Sequence, residues 1–210
     1  FNNPLMKQTL EEVAKLNADD TVRAIVVRGA GRAFSPGFDL KASADRKMEG
    51  VQDWERQMKL QFDFIMQFWY SPKPTIAAVH GYCIACAFEL ALAFDVTIAA
   101  QNTRLGEPEV RFGTGIVAML LPWVTGPKQA KELLLTGEDK LSADDALRIG
   151  IVNQVVPDGE VFDTAMSMAK SMANAAERSV TFTKRAINET YETMGFGRAL
   201  RASLDLDILL

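Results

Sequence analysis

Histidine is almost missing from this chain: His80 is the only one in 210 residues, and cysteine occurs twice, at Cys83 and Cys86. A Ser-His-Asp hydrolase would have to use His80, yet no Gly-x-Ser-x-Gly turn accompanies it. Two cysteines supply no disulfide framework, and their apolar setting fits a reducing compartment, so the cytoplasm is the expected location. His80, Cys83 and Cys86 form a His-x-x-Cys-x-x-Cys series, but zinc would need a carboxylate or a water as its fourth ligand. Buried small hydrophobes are the better reading of the two cysteines, and no metal is expected.

An excess of positive charge is missing too. Lys and Arg number 23 against 27 Asp and Glu, a formal net charge of −4, which argues against a nucleic-acid partner. No apolar run is continuous enough to cross a bilayer, so no membrane partner is expected. Phosphate cradles are lacking: the glycine-rich loop at Gly29 has no Gly-Lys-Ser/Thr, and Phe34 stands where a dinucleotide loop wants glycine. No signal, transit or lipidation segment is legible in a chain that opens at Phe1 rather than Met. What remains, with 48% hydrophobic and 24% charged residues, is an ordinary globular composition for one domain or one domain with a small appendage.

The chain is organised around Thr75 to Ala100, TIAAVHGYCIACAFELALAFDVTIAA, which places Glu89 in a nearly unbroken apolar run where every other residue between Cys83 and Phe94 is uncharged. An unpaired, ionised glutamate there would cost several kcal/mol or keep its proton. The run divides into a strand over Thr75 to Val79, a glycine turn, a helix over Cys86 to Phe94 and a strand over Val96 to Ala100, a β-turn-α-β unit. Ala85, Cys86 and Ala87 mark the helix start, where unpaired N–H groups suit a negative oxygen.

Upstream, Pro4 to Leu16 has helical spacing and Val22 to Val27 reads as a buried strand. Gly29 to Lys41, GAGRAFSPGFDLK, follows at that strand's carboxyl end, where α/β folds favour ligands; a plain connecting turn is the alternative. Val51 to Trp69 is expected to be a helix packed through Trp54, Met58, Phe62, Ile65 and Phe68 or Trp69, stopped by Ser71-Pro72-Lys73-Pro74.

Downstream, Glu107 and Glu109 flank Pro108 in an irregular segment, either facing a cavity shared with Glu89 or standing as solvated loop charges. Helices are expected over Ile116 to Val124, Lys128 to Leu135, Ala143 to Ile149, Glu160 to Met172 and Val180 to Thr193, with Ser142 capping the third and a strand over Ile151 to Val155. Leu204, Leu206, Ile208, Leu209 and Leu210 form an apolar end suited to docking, for instance on another subunit.

Over nearly its whole length the chain resembles the crotonase superfamily, in particular enoyl-CoA hydratases. The segments that carry the likeness are AsnProLeu at 3 to 5, GAGRAFSPGFDLK at 29 to 41, ProLysProThrIleAlaAlaValHisGlyTyr at 72 to 82, GluLeuAlaLeuAlaPheAsp at 89 to 95, GEPEVRFG at 106 to 113, LeuLeuThrGly at 134 to 137 and GIVNQVVP at 150 to 157. The resemblance implies an α/β fold, a spiral of stacked ββα units over 1–157 without the family's first hairpin. It also implies a shortened helical region over 158–210 that packs trimers or dimers of trimers.

The implied substrate is an acyl-CoA thioester, with no cofactor beyond the coenzyme A that the substrate carries. By matching positions, the backbone N–H groups of Phe38 and Cys86 would form an oxyanion hole and Glu89 and Glu109 an acid/base pair. Ser35, Gly37, Asp39, Lys41, Ala85, Ile116 and Val117 would contact the substrate. Two departures stand out: Ala85, Cys86 and Ala87 replace three glycines usual in hydratases, and Ile116-Val117-Ala118-Met119-Leu120 replaces Pro-Gly-x-Gly-Gly. The first narrows the space beside the thioester and the second alters the acyl pocket. Hydration is the expected activity; isomerisation by Glu109 alone and a non-catalytic acyl-CoA-binding scaffold are the alternatives.

Overall fold

A computed structural model describes residues 1–44 and 49–209. The chain opens with α1 (Asn3–Ala18), whose cap Asn2 accepts the Leu5 amide at 3.0 Å and whose first turn holds Pro4. Then come β1 (Ile25–Arg28), α2 (Leu40–Ala44) and α3 (Val51–Met66). The centre comprises β2 (Thr75–Val79), β3 (Tyr82–Ile84), α4 (Cys86–Leu92), β4 (Val96–Ala100), β5 (Arg104–Gly106) and a 3-10 turn (Glu109–Phe112). The remainder is α5 (Leu121–Thr125), α6 (Pro127–Thr136), β6 (Leu141–Ser142), α7 (Ala143–Arg148), β7 (Gln154–Val156), α8 (Val161–Asn174), α9 (Glu177–Thr193) and α10 (Phe196–Ile208).

Two sheets result. The larger is parallel, in the order β1-β2-β4-β7, with Ile76 opposite Val96 and Ile98 opposite Gln154. Side chains alternate across a strand, so Ile76, Ala78, Ile98 and Ala100 meet Val161, Ala165 and Ala169 of α8, while Ala77, Val79 and Ala99 join the main core. A strand covered on both faces needs no polar side, and all five residues of β2 are buried.

The smaller sheet runs β3-β5-β6, with β3 and β5 parallel, and Ser35 extends it by a parallel bridge to Cys83. Each chain pass therefore contributes one strand to each sheet and then a helix or helical turn: β2-β3-α4, then β4-β5 and the 3-10 turn. Gly81 makes the tight step from β2 to β3 at φ 63°, and a Cβ there would lie 2.3 Å from the Arg32 carbonyl oxygen.

Several expectations need correction. Residues 22–24 do not join β1, which begins at Ile25, bonded to the Pro74 carbonyl at 2.8 Å. The β-turn-α-β unit is β-β-α-β, because β3 occupies what looked like a turn, and the central helix stops at Leu92. The α3 stripe is rotated: Trp54 is exposed, whereas Gln57 and Gln61 are buried, the former bonded to Asn3 at 2.9 Å. A polar side chain with a partner can take an inward position that hydrophobicity alone gives to an aromatic.

Residues 116–120 are irregular and only Leu121–Thr125 is helical, with Pro122 in the first turn, where proline is tolerated. The strand expected at 151–155 lies at Gln154–Val156, and the apolar carboxyl end belongs to α10 as far as Ile208, with Leu209 as its cap and Leu210 outside the described residues. Ser142 caps α7 as expected, accepting the Asp145 amide at 3.1 Å.

Candidate active site

Parallel strands deliver whatever follows them to the same edge of a sheet. In the smaller sheet three exits lie side by side: the Phe34 and Ser35 amides bond the His80 and Tyr82 carbonyls at 2.7 and 2.9 Å, and the Ala85 amide bonds the Gly106 carbonyl at 2.8 Å. The chain beyond Ser35 carries Phe38, that beyond β3 carries Cys86 and Glu89, and that beyond β5 carries Glu107 and Glu109.

The first two exits touch at Gly37. Its φ is 99°, and a Cβ added there would lie 2.8 Å from the Ala85 Cβ and 3.5 Å from the Cys86 nitrogen. The Ser35 hydroxyl accepts the Gly37 amide at 3.1 Å and so shapes this turn. Among the described residues, neither the Phe38 nor the Cys86 amide donates to a protein acceptor. Ala85, immediately before Cys86, is the only non-glycine residue with positive φ among the described residues, at 62°.

Glu89 lies on α4, of which every residue is buried. Its Oε2 accepts the Ala118 amide, and the Val117 amide also faces its carboxylate. Oxygens of Glu89, Glu107 and Glu109 all lie within 4.8 Å of one another. Glu107 is 2% exposed and Glu109 half-buried, so the solvated-charge reading fails for the first and holds only in part for the second. Glu107 Oε1 and Glu109 Oε2 are buried without a hydrogen-bond partner.

Burial, then the charge of Glu109, pushes the Glu89 carboxyl well above its ordinary 4.5, against the pull of the Ala118 amide. Glu107 is pushed the same way by burial, then by Glu89 and Glu109. Burial also raises Glu109, less strongly, with Glu107 opposing as a hydrogen-bond donor. Such a trio can hold and pass protons beside two main-chain donors. It is also the grouping among the described residues whose spacing a metal ion could use, but protons relieve the same repulsion.

The expected contact residues divide. Ile116 lines a 470 Å³ cavity with Met119, Leu134, Leu206, Thr114 and Asp207, next to the turn that carries Glu109. Val117 is buried and turns its amide to Glu89 instead. Ser35 borders a separate 620 Å³ cleft with Arg32, Pro36 and Tyr82. Asp39 and Lys41 are exposed, and the Asp39 carboxylate accepts the Ala42 amide at 3.0 Å, at the start of α2. A further cavity, 630 Å³ beneath α9, contains none of the expected site residues. His80 bonds the Gly31 carbonyl at 3.1 Å, and Cys83 and Cys86 are both buried.

Sequence reasoning left Glu107 undecided and missed Asp207. Leu105, two positions before Glu107 on an extended segment, is fully buried, and that alternation pointed Glu107 inward. Asp207 follows Leu200 and Ser203 at helical spacing; its carboxylate takes the Gly115 amide, and its charge raises both Glu89 and Glu109.

The enoyl-CoA hydratase/isomerase family matches residues 1–206. The crystal structure of an enoyl-CoA hydratase/isomerase from Xanthobacter autotrophicus Py2 is 45% identical with a TM-score of 0.98, covering 100% of this chain and 78% of that one. A Thermus thermophilus protein with a provisional enoyl-CoA hydratase name is 36% identical over 193 residues, 88% of this chain and 75% of the relative. The carnitinyl-CoA dehydratase of Escherichia coli K12 is 34% identical over 180 residues, 83% of this chain and 65% of that enzyme, so the chain spans just under two thirds of its length.

Proposed function

The chain belongs to the enoyl-CoA hydratase/isomerase family and has its crotonase-like fold, and on that premise we propose that it adds water across the 2,3 double bond of an enoyl-CoA. The observation that carries this reading is the meeting of Glu89 and Glu109, distant in sequence, beside two main-chain amides with no protein acceptor among the described residues.

In this mechanism the Phe38 and Cys86 amides hold the thioester oxygen and stabilise the enolate that forms as water attacks C3. Losing one such donor typically costs about 10²- to 10³-fold in rate. Glu89, in the anionic form that the Ala118 amide favours against burial, takes a proton from the water while Glu109 delivers one to C2. The acyl chain fits the apolar cavity at Ile116 and Met119, and the remainder of the coenzyme fits the cleft at Ser35 and Arg32. No further cofactor enters the reaction. Exposed Phe182, Ile187 and Leu206 on the carboxyl-terminal helices, with Met194 in the turn between α9 and α10, suit a homotrimer or a dimer of trimers.

The test is turnover of crotonyl-CoA, followed as loss of conjugated thioester absorbance. Glu89→Gln and Glu109→Gln each lower kcat by about 10²-fold or more while the fold persists, because an amide keeps the shape but cannot trade the proton. Wild-type rates in either variant refute the paired mechanism. Conversion of a 3-enoyl-CoA that survives Glu89→Gln, without hydration, marks an isomerase instead. Binding of CoA thioesters with no turnover across a broad panel marks a scaffold.

A further inference from the structure

The third carboxyl of the cluster has no role in that mechanism. Glu107 is as deeply buried as Glu89, its oxygens approach both partners, and its Oε1 has no hydrogen-bond partner. Its backbone is fixed from the other side, where the Glu107 amide bonds the Glu138 carbonyl at 2.8 Å.

The groups that face it offer no neutralising charge. From α4 come Glu89 and the Cys86 thiol and from the 3-10 turn Glu109, while Asp207 of α10 adds a further negative charge that acts on Glu89 and Glu109. Arg111 turns away to Asp139 at 3.3 Å, and no ion pair among the described residues includes a member of the trio. Three adjacent anions in this setting would be severely destabilised, so at least one proton is retained.

The members differ in how well they tolerate charge. Glu89 has main-chain N–H donors aimed at it and Glu109 is partly open to solvent, whereas Glu107 has neither. We propose that Glu107 is a positioning residue: a neutral carboxylic acid that donates its O–H to the catalytic carboxylates and keeps them in the mixed state, one ionised and one protonated, that hydration requires. The kinetic part of this rests on the hydratase reading; the neutrality of Glu107 does not.

Two measurements separate the parts. In infrared spectra of the full chain at about pH 8, the carbonyl stretches of two protonated carboxylic acids are expected, that of Glu107 and that of the protonated member of the catalytic pair, and Glu107→Gln should remove one of them. If that variant does not fold, carbon NMR of glutamate-labelled wild-type protein replaces it: two δ-carbons holding their protonated shift at that pH support the proposal, and fewer overturn it. Binding of Mn²⁺ that Glu107→Gln abolishes also overturns it, since the carboxyl would then be an anionic ligand.

In the pH profile of crotonyl-CoA hydration, Glu107→Gln substitutes a weaker donor and Glu107→Leu none. Both should lower kcat several-fold and move the acidic limb toward higher pH, by about one unit for Leu. An ionised Glu107 predicts the opposite direction, because its removal would relieve repulsion. An unmoved limb means packing alone; either result overturns the positioning role. A protonated Glu107 in a wild-type protein that hydrates nothing would retain the neutral acid and reject the hydratase reading.

Discussion

Ala85→Gly should stabilise the protein although it removes a methyl group. Ala85 sits at φ 62°, ψ −142°, a conformation that glycine adopts freely and other residues hold under strain. Such strain costs about 1–3 kcal/mol, while glycine returns about 0.5–1 kcal/mol through its larger unfolded-state entropy. The expected gain is about 1 kcal/mol, or about 3 °C in Tm for a domain of this size. Gly37→Ala tests the same turn from across the gap: its new Cβ would stand 2.8 Å from the Ala85 Cβ at a φ of 99°, a loss of about 2–3 kcal/mol. Made in the Ala85→Gly background, that loss should shrink by about 1 kcal/mol, because the nearest colliding atom has gone. Urea unfolding of the two single variants and the double variant measures all three terms. A destabilised Ala85→Gly, or strict additivity of the pair, refutes the account of a strained, crowded turn before the Cys86 amide.

Glu89→Gln should alter stability in a pH-dependent way. The carboxyl is pushed above its ordinary 4.5 in the folded chain, so its contribution is complete below that value and disappears as pH rises through the folded value. The variant should therefore match the wild type near pH 4 and gain on it through neutrality, by up to about 1.4 kcal/mol per pH unit of that window; thermal melts across the range check it, and equal differences at both ends refute it. Lys184→Met should cost about 1–2 kcal/mol in urea unfolding, because Lys184 Nζ reaches Asp95 at 2.7 Å and the Lys73 carbonyl at 3.0 Å, and its loss leaves the Asp95 carboxylate, whose side chain is 22% exposed, without a counter-charge. Adding Asp95→Asn should recover part of that loss; a double variant worse than the sum of the singles would contradict it.

The parts legible in the sequence are those with one dominant cause. The β2 and β4 segments show as unbroken apolar runs because the parallel sheet is covered on both faces, and Glu89 stands out because nothing charged surrounds it. The smaller sheet was hidden: β3 and β5 have three residues each and β6 two, too few for alternation to register. Its concealment also hid the reason that the Glu107 and Glu109 segment returns to Glu89, namely that β3 and β5 are parallel neighbours. On α3, Gln57 occupied an inward position through a partner 54 residues away in sequence, which no local pattern contains. The irregular path of residues 116–120 is likewise set by a remote group, since the Ala118 amide is aimed at Glu89.

The same remote geometry explains why the least favourable features of the chain are gathered in one place. Three carboxyls within 4.8 Å and the one non-glycine residue at positive φ among the described residues all lie at the exits of the smaller sheet. Elsewhere even a partly covered acid has been given partners: Asp95 accepts from Lys184 and from Thr75. Had the trio been selected for stability, a cation or further amides would be expected around it too, and neutral substitutions would weaken the fold. Ala85→Gly and Glu89→Gln are instead expected to strengthen it, the sign that separates a site held by the rest of the structure from one that holds the structure together. The all-buried β2 and the α8 face against it supply the apolar burial that tolerates this cost, so substitutions there should lower stability without the pH dependence that marks the acid cluster.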